Sequence, residues 1–337
     1  MKREVQLVER IARALRSKNV PSRARNAGSW VRVGIGDDAA VLKGSPNSEW
    51  VVSCDAFVED IHFRMNTHPA DSVGYKSLMR AASDLAAMGA VPRYYLLTLA
   101  IPDVSTGRWL GEFLAGMASA ARELRIQAIG GDTTRSAKVL ISITVIGEVR
   151  AGYAVSRSGA RRGDLIYVSG TLGRAQLGLE LALAGNARKP NVRNAVASHF
   201  YPQARIELGG WLAQHKIASA MIDLSDGLST DLARVCDASR VGAKLDAERI
   251  PQVTVPTAAA KFLRGGRFDP FHAALHGGDD YELLFTVPRR KETLLRNAPG
   301  YSLLRRIGGI TRAKEIVVTR HDGHVTRLEP KGWDSFR

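Results

Sequence analysis

The segment "SAMIDLSDGLSTDLARVCDAS" (219–239) changes character at its centre. Residues 219–227 read as an apolar strand ending in a polar glycine turn, and residues 228–239 as the helix that the turn releases. A strand that feeds a helix is the building unit of an α/β chain. The pattern repeats on both sides. Toward the C-terminus, strands are expected at "YELLFTV" (281–287) and "EIVVTR" (315–320). Toward the N-terminus come a helix over 204–215, a basic loop, a helix over 174–185 and the strand "LIYVSG" (165–170). The stretch "RAGYAVSRSGARRGD" (150–164) interrupts the alternation with small and basic residues and sets a domain boundary, 1–150 against 151–337. In the first half, strands are expected at 39–43, 49–58, 93–102, 126–132 and 139–149, with helices over 71–90 and 107–125. The class is α/β (α+β), two domains with mixed sheets packed by helices, which suits 337 residues.

The composition, 45% apolar and 24% charged, is that of a water-soluble globular protein. No apolar run is long enough for a membrane helix. The N-terminus, "MKREVQLVERIARALR", reads as an amphipathic helix docked on the body, because Glu4, Glu9 and the arginines break any signal-peptide core. Cys54 and Cys236 stand far apart in no zinc or redox spacing, which fits a cytoplasmic protein. The net charge of +15 is concentrated at the ends: residues 1–33 and 289–337 carry +7 each, leaving +1 for the 255 residues between. With no zinc-finger, aromatic RNA-binding or basic-heptad pattern, these ends read as solvated surface and no specific nucleic-acid partner is expected.

The chemistry lies in the aspartates. Asp37 and Asp38 follow a Gly-x-Gly turn in "GIGDDAAVL" (34–42), and Asp55, Asp132, Asp223, Asp226, Asp279 and Asp280 fall at strand ends or glycine turns. Any one of them is explained as a backbone cap. Asp84 fits that reading less easily, lying inside "RAASDLAAMGA" (80–90), where it either caps a second short helix or serves chemistry. In "MIDLSDGL" (221–228), Asp223 and Ser225 share a strand face by the two-residue period. Grouped carboxylates repel unless a cation balances them, and oxygen-only ligands suit Mg²⁺ or Mn²⁺ rather than zinc. Such a cluster beside glycine-rich backbone points to a nucleotide–metal site. There is no P-loop and no kinase "HRD" or "DFG" set, so phosphate-binding cations must come from elsewhere; Arg157, Arg161 and Arg162 are candidates.

In order, "GIGDDAAVL", "VVSCDAFVEDIHF", "YKSLMRAASDLAAMGAVPRYYLLTLAIP", "IGGDTTRS", "SRSGARRGDLIYVSG", "IDLSDGLSTDL", "GGDDYELLFTV" and "KGWDSF" resemble the thiamine-monophosphate kinase family, within the superfamily of aminoimidazole ribonucleotide synthetase. The ordered set spans the chain from residue 34 to its end. The resemblance implies two α/β domains, a homodimer joined through N-domain strands, ATP as co-substrate with several Mg²⁺, and thiamine monophosphate as acceptor. Carried over by position, it implies metal contacts at Asp38, Ser53, Cys54, Asp55, Asp84, Asp132, Asp223 and Asp226. It implies ATP contacts at Gly131, Asp132, Arg157 and Ser225, and acceptor contacts at His62, Asp279 and Trp333. Three positions depart from the family pattern: Cys54 for Thr, Asp279 for Glu and Ser335 for His.

The expected reaction is direct phosphoryl transfer from ATP. The acceptor phosphate has a second pKa of about 6, so no general base is required. Two rivals stand beside it: another ATP-dependent enzyme of the superfamily, and a basic nucleic-acid-binding protein on the same scaffold. The chain lacks the C-terminal cysteine of the dehydratase type and the early reactive cysteine of the selenophosphate type.

Overall fold

The computed structural model describes residues 31–33, 40–43, 47–186, 189, 192–263 and 267–336. The expected N-terminal helix and the expected turn at Asp37 and Asp38 lie outside the described residues.

The first sheet is built from β1 (Val31–Val33), β2 (Ala40–Lys43), β3 (Ser48–Val58), β4 (Val91–Ile101), β5 (Gln127–Arg135) and β6 (Leu140–Arg150), in the order β1-β2-β3-β6-β4-β5. Its pairings are antiparallel except β4 with β5. Alternation places the strands: in β6, Ile141, Ile143 and Val145 are buried while their neighbours face away. Helices α1 (Ala70–Ala87) and α2 (Arg108–Leu124) cover the buried face. Both cross closely because each supplies a glycine. A Cβ on Gly74 would lie 1.9 Å from the Phe113 carbonyl oxygen, and one on Gly116 1.8 Å from that of Asp71.

The second sheet comprises β7 (Leu165–Val168), β8 (Ala220–Asp223), β9 (Gly242–Asp246), β10 (Leu283–Val287), β11 (Arg305–Thr311), β12 (Ile316–Thr319) and β13 (Val325–Arg327), ordered β13-β12-β9-β11-β7-β10-β8. Helices α3 (Arg174–Leu183), α4 (Arg193–Phe200), α5 (Ile206–Gln214), α6 (Leu228–Ser239), α7 (Thr257–Ala260) and α8 (Pro270–His276) accompany it. The α/β class and the two-sheet division stand as expected.

Helix α1 is the shared centre. It packs on the first sheet, on α2, and on α5 and β8 of the second half, so nearly every residue is buried, including Lys76. That explains its run of Ala, Ser and Gly: a helix enclosed on several sides leaves no room for large side chains. Three sequence expectations change. Asp84 does not cap a second helix, since α1 runs unbroken through it. Strand β8 stops at Asp223, so Ser225 and Asp226 belong to the following turn and the two-residue face argument does not reach them. The basic loop before residue 204 contains α4, whose short apolar pattern is masked by its arginine and asparagine.

Candidate active site

Three side chains of α1 recur at four-residue steps, Lys76, Arg80 and Asp84, and each meets a partner on another element. Asp84 accepts a hydrogen bond of 2.5 Å from the Ser53 hydroxyl on β3. Arg80 grips Asp55, two residues further along the same face of β3, through Nε–Oδ2 at 2.7 Å and Nη2–Oδ1 at 3.2 Å. Its guanidinium also lies over the Phe57 ring, 5.1 Å from the centroid. Lys76 donates to Asp279 Oδ2 at 2.7 Å, and Tyr281 donates to Asp279 Oδ1 at 2.7 Å. The ladder thus joins β3 to the loop before β10, across the two halves of the chain.

At the Lys76 end the polar chain goes deeper. His199 Nδ1 is 3.4 Å from Lys76 Nζ, and its Nε2 is 3.1 Å from Nε2 of His68. Burial pulls His68 down to about 4 and His199 well below the ordinary histidine value, so both are neutral at pH 7. Burial works against a charge on Asp279, yet Lys76, and with it Arg80, holds its carboxyl well below the usual range. His62 follows β3, its ring tilted against that of Phe57 with centroids 5.7 Å apart. Burial and then Arg80 bring it down to about 4, and its Nδ1 accepts from the Val58 N–H at 3.0 Å. The neutral ring therefore carries its proton on Nε2, as a donor.

The second cluster is the turn after β8. Asp226 pairs with Arg234 of α6 at 2.6 Å, and Arg234 also reaches Asp231 at 2.7 Å. Asp231 is fully buried and accepts from the backbone N–H groups of Asp226 and Gly227. Burial, and next the charge of Asp226, push its carboxyl well above its ordinary value. The loop before β10 and the chain's tail bracket this turn: Asp279 N–H donates to the Ser225 carbonyl at 2.8 Å, and Trp333 N–H to that of Asp226 at 3.0 Å. The Trp333 side chain is 48% exposed, its Nε1 turned to Ser335. Asp279, Ser225, Asp226 and Trp333 are therefore neighbours, and the Lys76–Asp279 pair joins them to the ladder.

Other expected residues stand apart. Gly131 and Asp132 lie on β5, three strands from β3. The register runs from Asp132 through Thr98 and Ser142 to Ala56, about 14 Å of strand spacing. Gly131 has a structural reason of its own, since at φ +152 a Cβ would meet the Leu97 carbonyl oxygen at 1.8 Å. Cys54 faces the opposite side of β3 from Asp55, its sulfur 3.4 Å from the Ser142 hydroxyl. Arg157 precedes the second sheet, its carbonyl accepting from Ser239, but its charge bears on Arg234, so it stands beside the Asp226 turn rather than apart. Asp38 lies outside the described residues.

The donor set is hard oxygen, which suits magnesium. Among the described residues no three Asp, Glu, His or Cys side chains converge as a ready cation cage. Asp55 and Asp226 instead face arginines, and a cation would have to compete with Arg80 and Arg234 for them. Lys76, Arg80, His199 and Tyr281 escaped the sequence reading, which followed carboxylates. The four-residue rhythm of Lys76, Arg80 and Asp84 through an otherwise small and apolar helix was the available signal.

The two halves match the AIR synthase related protein domains, the N-terminal domain over residues 36–149 and the C-terminal domain over 161–321. That places the fold among the AIR synthase related proteins. The chain is 32% identical over 317 residues to the thiamine-monophosphate kinase of Bacillus subtilis (strain 168), covering 92% of this chain and 95% of the relative. It is 36% identical over 319 residues to that of Escherichia coli (strain K12), covering 93% and 95%. A solved structure, AaThiL complexed with AMPPCP and TMP, superimposes with a TM-score of 0.82 at 29% identity, covering 98% of this chain and 96% of the other. The chain belongs to the thiamine-monophosphate kinase family.

Proposed function

We propose that the protein transfers the terminal phosphoryl group of ATP to thiamine monophosphate, giving ADP and thiamine diphosphate. The observation that carries the reading is the α1 ladder. In a chain of this family, it sets an acceptor-binding loop at Asp279 and a carboxylate–hydroxyl pair at Asp84 and Ser53 along one helix face. Residues 1–150 supply the α1 side of the ladder and the Asp38, Ser53, Asp55, Asp84 and Asp132 ligands. Residues 151–337 supply the Asp223–Asp226 turn, Arg157 and the tail, with Trp333 against the thiamine rings and Ser225 toward ATP.

Magnesium, when bound, would neutralise phosphate charge, with Asp38, Ser53, Asp55, Asp84, Asp223 and Asp226 as proposed oxygen ligands and Asp132, three strands from β3, serving a separate one of several ions. The chain's own residues do the positioning. No side chain is needed as general base, since the attacking phosphate oxygen is already ionised at neutral pH. His62 supports that view. A ring held neutral, with Nδ1 committed to Val58, offers a hydrogen bond from Nε2 and takes up no proton at pH 7. No described helix is long and apolar enough to cross a membrane, and a cytoplasmic homodimer is the proposed setting.

The test is purified protein with ATP, Mg²⁺ and thiamine monophosphate, the products resolved by chromatography. The expected products are ADP and thiamine diphosphate in equal amounts, and none in EDTA. ATP hydrolysis without thiamine diphosphate, or undiminished turnover in EDTA, overturns the reading.

A further inference from the structure

Along α1, Lys76 marks the Asp279 end of the ladder and Asp84 the Ser53 end, with Arg80 between them at steps of about 6 Å. An acceptor held at Asp279 and presenting its phosphate toward Asp84 must carry that phosphate past Arg80. We propose that Arg80 is a specificity residue: its guanidinium binds the acceptor's phosphate and so selects phosphorylated over unphosphorylated thiamine, with Asp55 holding it in place beforehand. The inference rests on the thiamine-monophosphate reading above.

The surroundings fit that task. The guanidinium is gripped at two points by Asp55 and backed by the Phe57 ring, so its planar fork is oriented in advance. Its side chain is 14% exposed, against 1% for Lys76, so Arg80 is the cation of the pair that reaches the surface. Lys76 is committed to Asp279. A phosphate dianion entering beside Asp55 and Asp84 meets two carboxylates, and a bidentate guanidinium offsets that repulsion while fixing the phosphate's orientation. Arg80 acts on the other groups of the site as well: its charge bears on His62, Asp279 and Tyr281. A tie between α1 and β3 accounts for the Asp55 and Phe57 contacts, but not for the part of the Arg80 side chain left at the surface.

The experiment titrates the full chain with thiamine monophosphate and, separately, with thiamine, in Mg²⁺ and a non-hydrolysable ATP analogue, and records an unfolding midpoint for each variant. In Arg80→Gln the dissociation constant for thiamine divided by that for thiamine monophosphate should fall about tenfold or more, the loss confined to the phosphorylated ligand. Arg80→Lys keeps a charge opposite Asp55 but loses the fork; it should fold normally and still lose severalfold in the ratio. That variant carries the test if the glutamine protein is unstable. An unchanged ratio in folded variants, or equal weakening of both ligands, overturns the proposal while leaving the kinase reading intact. No binding of thiamine monophosphate by the wild-type chain defeats both.

Discussion

Single residues in the loop at 279–281 carry opposite electrostatic roles. Asp279 is ionised because Lys76 faces it, whereas Asp280 is deprived of such a partner. Burial pushes Asp280 up to about 7, although it accepts backbone N–H groups of Gly173 and Ala175 at the start of α3. Removing Lys76 leaves a carboxylate without its cation: Lys76→Met should destabilise the protein by about 3 kcal/mol in urea unfolding at pH 7. A change below 1 kcal/mol would show that Asp279 finds another partner. For Asp280 the folded pKa lies above the unfolded value near 3.8, so its favourable contribution is full below about pH 4 and is lost as pH rises through 7. Asp280→Asn should therefore gain on the wild type as pH goes from 5 to 8, by up to about 1.4 kcal/mol per unit. The histidines titrate in both proteins and cancel from the difference, so a flat difference between the two unfolding curves refutes the assignment. The sequence showed both aspartates but not their separation into ionised and protonatable. That depends on Lys76, 203 residues away, and on burial, neither of which a local pattern carries.

At the scale of elements, the joint between the halves is α5 against α1. A Cβ on Gly209 would lie 2.1 Å from the Ala86 carbonyl oxygen, while one on Gly210 meets nothing within 4 Å. Gly209→Ala should cost about 1–3 kcal/mol because backbone must shift. Gly210→Ala should be neutral or stabilising by up to about 1 kcal/mol through helix propensity. Calorimetric or urea midpoints compare the two directly, and equal effects would mean that the helices do not meet as described. The sequence placed α5 correctly as a helix within a few residues, and α6 at its observed bounds. It left the tandem glycines without a reason, because close approach is a property of two elements. It also lost α4, where charged and small residues hide the period, and ran β8 past its end, where Leu224 keeps an apolar look although the chain has already turned.

For the whole molecule, the exposed edges of the sheets decide what else must be present. Among the described edge strands, β13 is three residues long and β8 is four residues and wholly buried, whereas β5 runs nine residues with every one exposed. Ile129, 51% exposed, is its third residue. A long edge with unpaired backbone groups is a template for another strand, and natural proteins cover such edges. The sequence "QAIGGDTTR" reads as a strand but cannot show that it stands at an edge; only the pairing order does. The +15 charge of each chain opposes association of two copies, yet β5 itself holds one aspartate and one arginine, so the repulsion is distant and screened at physiological salt. The second copy of the chain is therefore the expected cover. Light scattering on an eluting peak at tens of micromolar should give about twice 36.6 kDa, unchanged between low and moderate salt. Ile129→Lys, which adds a charge on the exposed edge without touching a buried contact, should shift the mass toward one chain while the unfolding midpoint at high dilution stays near wild type. A wild-type mass of one chain at that concentration would leave β5 uncovered and refute the dimer.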